Sequence, residues 1–144
     1  MIDNSIKVRR AEMGDLQVIY RFICELEDEK LDYDLFQQIF KENLVSPNCL
    51  YSVAESKTKV IGFISLQTQK LLHHCGTVAE IQEFYVDKKF RSKGIGRLLM
   101  DEVKKSAEIN NIKSIEVTSN KMRTENIKVY ERLGFKLSHN KFTL

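Results

Sequence analysis

Little in this chain breaks it into parts. It carries a single proline, Pro47, and no Ser/Gly-rich linker, internal repeat or low-complexity stretch interrupts it, so its 144 residues read as one domain, 1–144. Cysteine is scarce and odd in number: Cys24, Cys49 and Cys75 are irregularly spaced with no C-x-x-C pair. They give no disulfide framework and read as reduced thiols packed as small hydrophobes. No apolar run approaches membrane-spanning length, and Met1-Ile2-Asp3-Asn4-Ser5 is not a signal peptide. The expectation is a cytoplasmic protein without a membrane partner. Charge of one sign is also in short supply. A net charge of +3 suits an anionic ligand but is too small for a nucleic-acid-binding face.

Two glycine-rich fingerprints are missing as well. The dinucleotide pattern G-x-G-x-x-G fails because Leu99 stands where its third glycine belongs, and the P-loop pattern does not occur. What is present is Arg91-Ser92-Lys93-Gly94-Ile95-Gly96, following Ala79-Glu80-Ile81-Gln82-Glu83-Phe84-Tyr85-Val86 and opening an amphipathic helix. Two glycines at a helix mouth let a ligand approach the backbone, and the unpaired N–H groups there face an anion. Arg91, Lys93 and Arg97 add cationic side chains. The segment is suited to a phosphate or pyrophosphate.

Periodicity supplies the frame. Ile6 to Arg9 reads as a first strand. Leu16, Ile19, Tyr20, Ile23 and Leu26 mark a helix that starts at Gly14-Asp15 and ends in the acidic cluster Glu25, Glu27, Asp28, Glu29. Leu35, Phe36, Ile39, Phe40 and Leu44 mark a second helix, stopped at Ser46-Pro47-Asn48. Leu50 to Glu55 and Lys59 to Gln69 form a hairpin, and a loop at Leu71-Leu72-His73-His74 leads into a strand from about Cys75 to Val86. Ile95, Leu98, Leu99 and Val103 define the third helix, Lys113 to Ser119 a fifth strand, and Ile127, Tyr130 and Leu133 a fourth helix capped by Gly134. Phe135 to Leu144 is expected to supply a last strand or hairpin. The order is β-α-α-β-β-β-α-β-α-β, an α/β fold with a mixed central sheet flanked by helices.

The pattern R-x-x-G-x-G after such a strand resembles the coenzyme A site of the GNAT N-acetyltransferases, and the element order matches that family across nearly the whole chain. The resemblance implies a GNAT-type acyl-CoA N-acyltransferase fold and transfer of the acetyl group of acetyl-CoA to an amine. Such a transfer needs a base for the amine, donors for the oxyanion and an acid for the thiolate. Glu80 stands where the family often has its glutamate, acting directly or through water, and Glu83 is a second candidate near the substrate. Strict alternation sets Glu80 with Val78, Gln82 and Phe84, and Glu83 with Ala79, Ile81 and Tyr85, so that only one of the two faces the cleft. The family splays the strand at Tyr85-Val86, which implies an oxyanion contact from the Val86 N–H. Tyr130, three residues before Leu133-Gly134-Phe135, matches the tyrosine near the thioester sulfur. Cofactor contacts are implied for Phe84, Tyr85, Val86, the run Arg91, Ser92, Lys93, Gly94, Ile95, Gly96, Arg97, and for Tyr130. Thr118-Ser119-Asn120 is placed along the pantetheine slot, and Asn126 falls where many relatives have alanine.

Local features outside these motifs are similar to one subgroup, the aminoalkylphosphonate N-acetyltransferases: Ile23-Cys24-Glu25-Leu26, Asn43-Leu44, Pro47-Asn48, Leu72-His73-His74, Glu80-Ile81-Gln82-Glu83, Ser138-His139 and Lys141-Phe142-Thr143. That resemblance implies a small phosphonate-bearing primary amine as partner, with a divalent metal as an option. His73, His74 and His139 are the chain's three histidines, and they, with Glu83, are the candidate substrate residues. Asp32 and Tyr33 are placed at the rim of the same pocket. Three alternatives stay open. The acid density from Glu25 to Asp34 suits an aminoglycoside or polyamine, a protein amine is another acceptor, and a CoA-binding sensor would need neither Glu80 nor Tyr130. A homodimer is frequent in the family.

Overall fold

Five strands form one mixed sheet in the order β1-β2-β3-β4-β5. The structure, a computed structural model, describes residues 5–144; Met1 to Asn4, part of the segment read above for a signal peptide, lie outside the described residues. The strands are β1 (Ile6–Arg10), β2 (Cys49–Ser56), β3 (Lys59–Leu71), β4 (Gly76–Val86) and β5 (Ser114–Val117). The helices are α1 (Leu16–Glu27), α2 (Tyr33–Leu44), α3 (Ile95–Ile109) and α4 (Glu125–Arg132). Neighbouring strands are antiparallel except β4 and β5, which run parallel because α3 carries the chain across between them.

The sheet divides the core in two. On one face α1 and α2 bring Leu16, Ile19, Phe22, Ile23 and Phe40 against Val53, Val60, Phe63 and Tyr85. On the other, Ile95, Leu99, Met100 and Val103 of α3 cover Ala54, Ile61, Ile64, Leu66, Ala79 and Ile81. The 3–4 spacing of the apolar residues puts each helix's stripe on the sheet, and each fully buried Ile, Leu or Phe contributes about 1.5–3 kcal/mol. The entry to α1 is fixed electrostatically: Arg9 of β1 donates to both oxygens of Asp15, at 2.9 and 3.0 Å, and also to Glu55 at 2.6 Å.

Two features depart from strict periodicity. Ser65 pairs with Glu83 but Leu66 pairs with Ile81, so Gln82 is an extra residue, a β-bulge. The bulge reverses the alternation, and Glu80, opposite Gln67, shares a face with Glu83 and Tyr85. The expectation that the two glutamates face opposite sides is thereby corrected, and Ala79, Ile81, Phe84 and Val86 take the α3 face. The second departure is at the carboxyl end. Residues 135–144 form no strand, and all from Lys136 onward are exposed. Ser138-His139-Asn140-Lys141 breaks any apolar alternation, so the segment has no face to bury against the sheet. The fifth strand is also shorter than expected, because β4 and β5 pair only from Val78–Ser114 to Ile81–Val117 and then part.

Candidate active site

The parting of β4 and β5 is what makes the site. Beyond Ile81, the edge of β4 that faced β5 has no neighbouring strand, and residues 82–86 border an opening. Asp87 N–H donates to Ile61 O on β3 at 2.8 Å. Alternation therefore turns the Val86 N–H the other way, into the opening. This is the placement expected for an oxyanion donor. Phe84 and Val86 line the α3 side, and a Cβ on Gly96 would come within 3.2 Å of the Phe84 ring, tighter than ordinary contact, so glycine eases the close approach of the helix mouth. Gly94, at φ 85°, takes a left-handed conformation that aims the following amides outward at the start of α3.

Tyr130 reaches the same opening from α4, its ring 6.5 Å from Phe84 and 5.8 Å from Phe135. Burial raises its phenol pKa, and the charge of Arg123 partly offsets this. Thr118-Ser119-Asn120 closes the end of β5: Thr118 donates to Glu80 Oε1 at 3.2 Å, Ser119 Oγ accepts from Asn126 Nδ2 at 3.1 Å, and Asn120 Oδ1 accepts from Met122 N at 2.9 Å. The structure thus gathers Phe84, Val86, Gly94, Gly96 and Tyr130 at one opening. Some other residues expected at the cofactor turn their side chains elsewhere. The Ile95 side chain is buried under the sheet, leaving its N–H, and the Tyr85 ring packs on the α1 face against Phe22. Ser92 is left-handed at φ 63°, and Lys93 lies over the Phe90 ring. Arg97 donates to Arg132 O at 3.2 Å, and Arg91 to Val86 O at 2.9 Å.

On the opposite face lies a cleft of about 160 Å³ lined by Ile39, Asn43, Tyr51, Ser65, Gln67 and Glu83. Glu83 is withdrawn from water here. The Ser65 hydroxyl donates to its Oε1, and its own N–H donates back to Ser65 Oγ at 2.9 Å. Burial raises its carboxyl pKa; the Ser65 hydrogen bond counters this and the nearby Glu27 adds to it. Asn43 Nδ2 donates to Tyr51 OH at 2.7 Å, and burial raises the Tyr51 phenol as well. Further along, Tyr85 OH donates to Glu25 Oε2. Burial and that carboxylate push the Tyr85 phenol up to about 12. A larger groove, about 400 Å³, lies between α3, β5 and the end of α4, and none of the expected site residues lines it.

The histidines do not join this site. His73 and His74 form a turn before β4, rings 4.4 Å apart, with His74 3.9 Å from Glu116. From Gly76 to Glu83 the strand runs roughly 23 Å at ~3.3 Å per residue. His139 sits in the exposed tail, its Nδ1 2.6 Å from Ser138 Oγ. Among the described residues, no three His, Cys, Asp or Glu side chains converge to hold a metal. Asp32 caps α2 by accepting from Leu35 N at 3.1 Å, and Tyr33 packs edge-on to Tyr20. Periodicity missed Ser65 and Tyr51, although a lone serine within the apolar run Val60–Leu66 is a signal of its own.

Comparison with known proteins agrees with this geometry. Residues 13–135 match the model of the Acetyltransferase (GNAT) family. The chain belongs to that family. As a GNAT protein, it is an acetyl-CoA-dependent N-acetyltransferase. It is 36% identical over 137 residues, covering 95% of this chain and 89% of the relative, to the aminoalkylphosphonate N-acetyltransferase of Salmonella typhimurium LT2. Among solved structures it is similar to a possible acetyltransferase from Clostridium difficile 630, with 27% identity, TM-score 0.84 and coverage of 98% and 97%. It shares its fold with a transcriptional regulator from Bacillus halodurans C-125, at TM-score 0.88, 24% identity and coverage of 96% and 98%. No helix among the described residues is long and apolar enough to cross a membrane.

Proposed function

We propose that this GNAT enzyme acetylates the primary amine of a small aminoalkylphosphonate by direct attack in a ternary complex, with Glu83 as the base. The observation that carries the mechanism is Glu83 itself: a half-buried carboxylate on the acceptor face, raised above its ordinary pKa, one bulge away from the opening. Glu83 accepts a proton from the substrate ammonium, and the neutral amine forms its C–N bond to the thioester carbonyl carbon. The Val86 N–H receives the developing oxyanion. As the C–S bond breaks, Tyr130, kept protonated by burial, gives its phenol proton to the thiolate, and the second proton shed by the nitrogen as it becomes the amide returns to the phenolate through water. Glu80, held by Thr118, stands on the same face to attract the ammonium. The amides of Ser92 to Gly96 and the positive end of α3 hold the pyrophosphate, with Lys93 beside them. The pantetheine arm lies along Phe84 and Val86, flanked by Asn120 and Asn126.

The phosphonate acceptor is supported by the Salmonella relative, matched along most of both chains, and by the cleft's size, below the ~300–1,000 Å³ usual for drug-sized ligands. Among the described residues the histidines do not fit a metal centre. A second reading, a small polyamine, is favoured by the carboxylates Glu25, Glu27 and Glu83 on the acceptor side.

Release of free CoA thiol from acetyl-CoA tests the choice, against aminomethyl- and aminoethylphosphonate, their carboxylate analogues and a polyamine, each with divalent metal and with EDTA. Turnover confined to the phosphonates is expected; turnover of the polyamine alone would transfer the reading to the second acceptor. Tyr130→Phe is expected to lower kcat about tenfold or more with acetyl-CoA affinity nearly intact. Unchanged kcat would remove the acid from Tyr130.

A further inference from the structure

Arg91 opens the glycine-rich loop, and from sequence it is a cofactor-binding cation. Its guanidinium is otherwise engaged. Nε donates to Val86 O at 2.9 Å, and the guanidinium carbon lies 5.2 Å from the centre of the Tyr85 ring. Tyr85 is in turn fixed by its phenol, which donates to Glu25 in the last turn of α1, and by packing on Phe22 at 4.8 Å. Val86 C=O and Asp87 N–H belong to one peptide unit. Arg91 holds its oxygen, and Ile61 O on β3 holds its N–H. With Tyr85 held on one side and the Val86–Asp87 peptide plane pinned at both ends on the other, Val86 is fixed from both flanks, and so is the direction of its N–H. This lies where β4 has already lost its β5 neighbour, so no ladder does the same job on that side.

We infer that Arg91 is a positioning residue, which clamps the end of β4 between the Val86 carbonyl and the Tyr85 ring and thereby aims the oxyanion donor. The inference rests on the proposed role of the Val86 N–H. Lysine keeps the charge but lacks the planar guanidinium that stacks on a ring while donating from Nε. Arg91→Lys and Arg91→Ala therefore both lower kcat, by about ten- to a hundredfold, because a misaimed donor stabilises the transition state poorly. CoA affinity, read by calorimetry, stays within about threefold of the parent's, as phosphate contacts made by amides and Lys93 are untouched. Tyr85→Leu, which removes the ring, lowers kcat similarly, and its effect is not additive with Arg91→Ala. Added methylguanidinium restores part of the kcat of Arg91→Ala.

Two results would overturn the inference: kcat of Arg91→Lys equal to the parent's, or a tenfold or greater loss of CoA affinity in Arg91→Ala with kcat intact. Hydrogen exchange at residues 84–87 keeps the clamp testable apart from the reaction. Faster exchange there in Arg91→Ala supports the clamp even if Val86 is not the oxyanion donor, and unchanged exchange refutes it. Loss of acetyl transfer to every amine by the parent enzyme would instead count against the reading on which it rests.

Discussion

Asp15 and Glu83 are both carboxylates drawn out of water, in two regions that treat them oppositely. At the entry to α1, Asp15 is 7% exposed and meets the Arg9 guanidinium through two hydrogen bonds, with Glu12 N–H adding a third at 2.8 Å. In the middle of β4, Glu83 has the Ser65 hydroxyl and, nearby, another carboxylate, Glu27. Burial opposes the charge at both places. At Asp15 the hydrogen bonds from Arg9 and Glu12 outweigh it, and the carboxyl titrates below its ordinary value. At Glu83 burial prevails, and the carboxyl titrates above. A carboxylate held charged locks two elements together; one left short of donors is ready to take a proton.

Substitution should separate the two roles. Glu83→Gln is expected to have the largest effect, a fall in kcat/KM of about 10²–10⁴-fold with the fold retained. A loss under about tenfold there, with a larger one in Glu80→Gln, would move the base to Glu80. Asp15→Asn is the reverse case. Turnover stays near the parent's while stability drops by about 1–3 kcal/mol in denaturant unfolding, a buried-pair loss discounted because the Arg9 side chain remains 24% exposed.

Acid titration of stability sharpens the contrast. The folded-state pKa of Asp15 is lowered, so its contribution is present above the unfolded value of ~3.9 and is lost as pH falls through the folded value. The folded-state pKa of Glu83 is raised, so its contribution is present below ~4.3 and is lost as pH rises through the folded value. The melting temperature of Asp15→Asn should therefore converge on the parent's in acid, and that of Glu83→Gln should exceed the parent's at neutral pH. Melting curves that shift in parallel at every pH would contradict both assignments. The smallest change is Ser65→Ala. It removes the hydrogen bond favouring the charged form of Glu83, so the acid limb of kcat/KM moves to higher pH with little change on the plateau.

Much of the frame was legible because burial imposes a period. The stripe Leu16, Ile19, Ile23 and the run Ile95, Leu99, Val103 each have one face to hide, and they fall on the two sides of the sheet. Gly94 and Gly96 were legible as an anion-binding helix mouth because a left-handed turn requires the first and close approach to Phe84 favours the second. Gln82 was not. A bulge adds one residue without changing residue types, so Ala79 to Val86 reads as unbroken alternation, and every face assignment before Gln82 inverts. Arg91 illustrates a different limit. Its charge and position suggested an anion, but a main-chain oxygen five residues earlier competes for the same donors. His73 and His74, grouped with the candidate site by a local pattern, lie at the far end of a long strand from Glu83, and His139 lies in the exposed tail.

The sheet's parallel pair is an unfinished seam. For its last residues β4 carries outward-facing amides with no strand to answer them, as an edge strand does, and such edges invite pairing with another chain. In the proposed placement a bound acetyl-CoA, itself carrying amides along its pantetheine arm, fills the seam in the manner of a missing strand. The ligand then guards the protein as well as reacting in it. At a hundred times its dissociation constant it adds about 2.7 kcal/mol to folding stability.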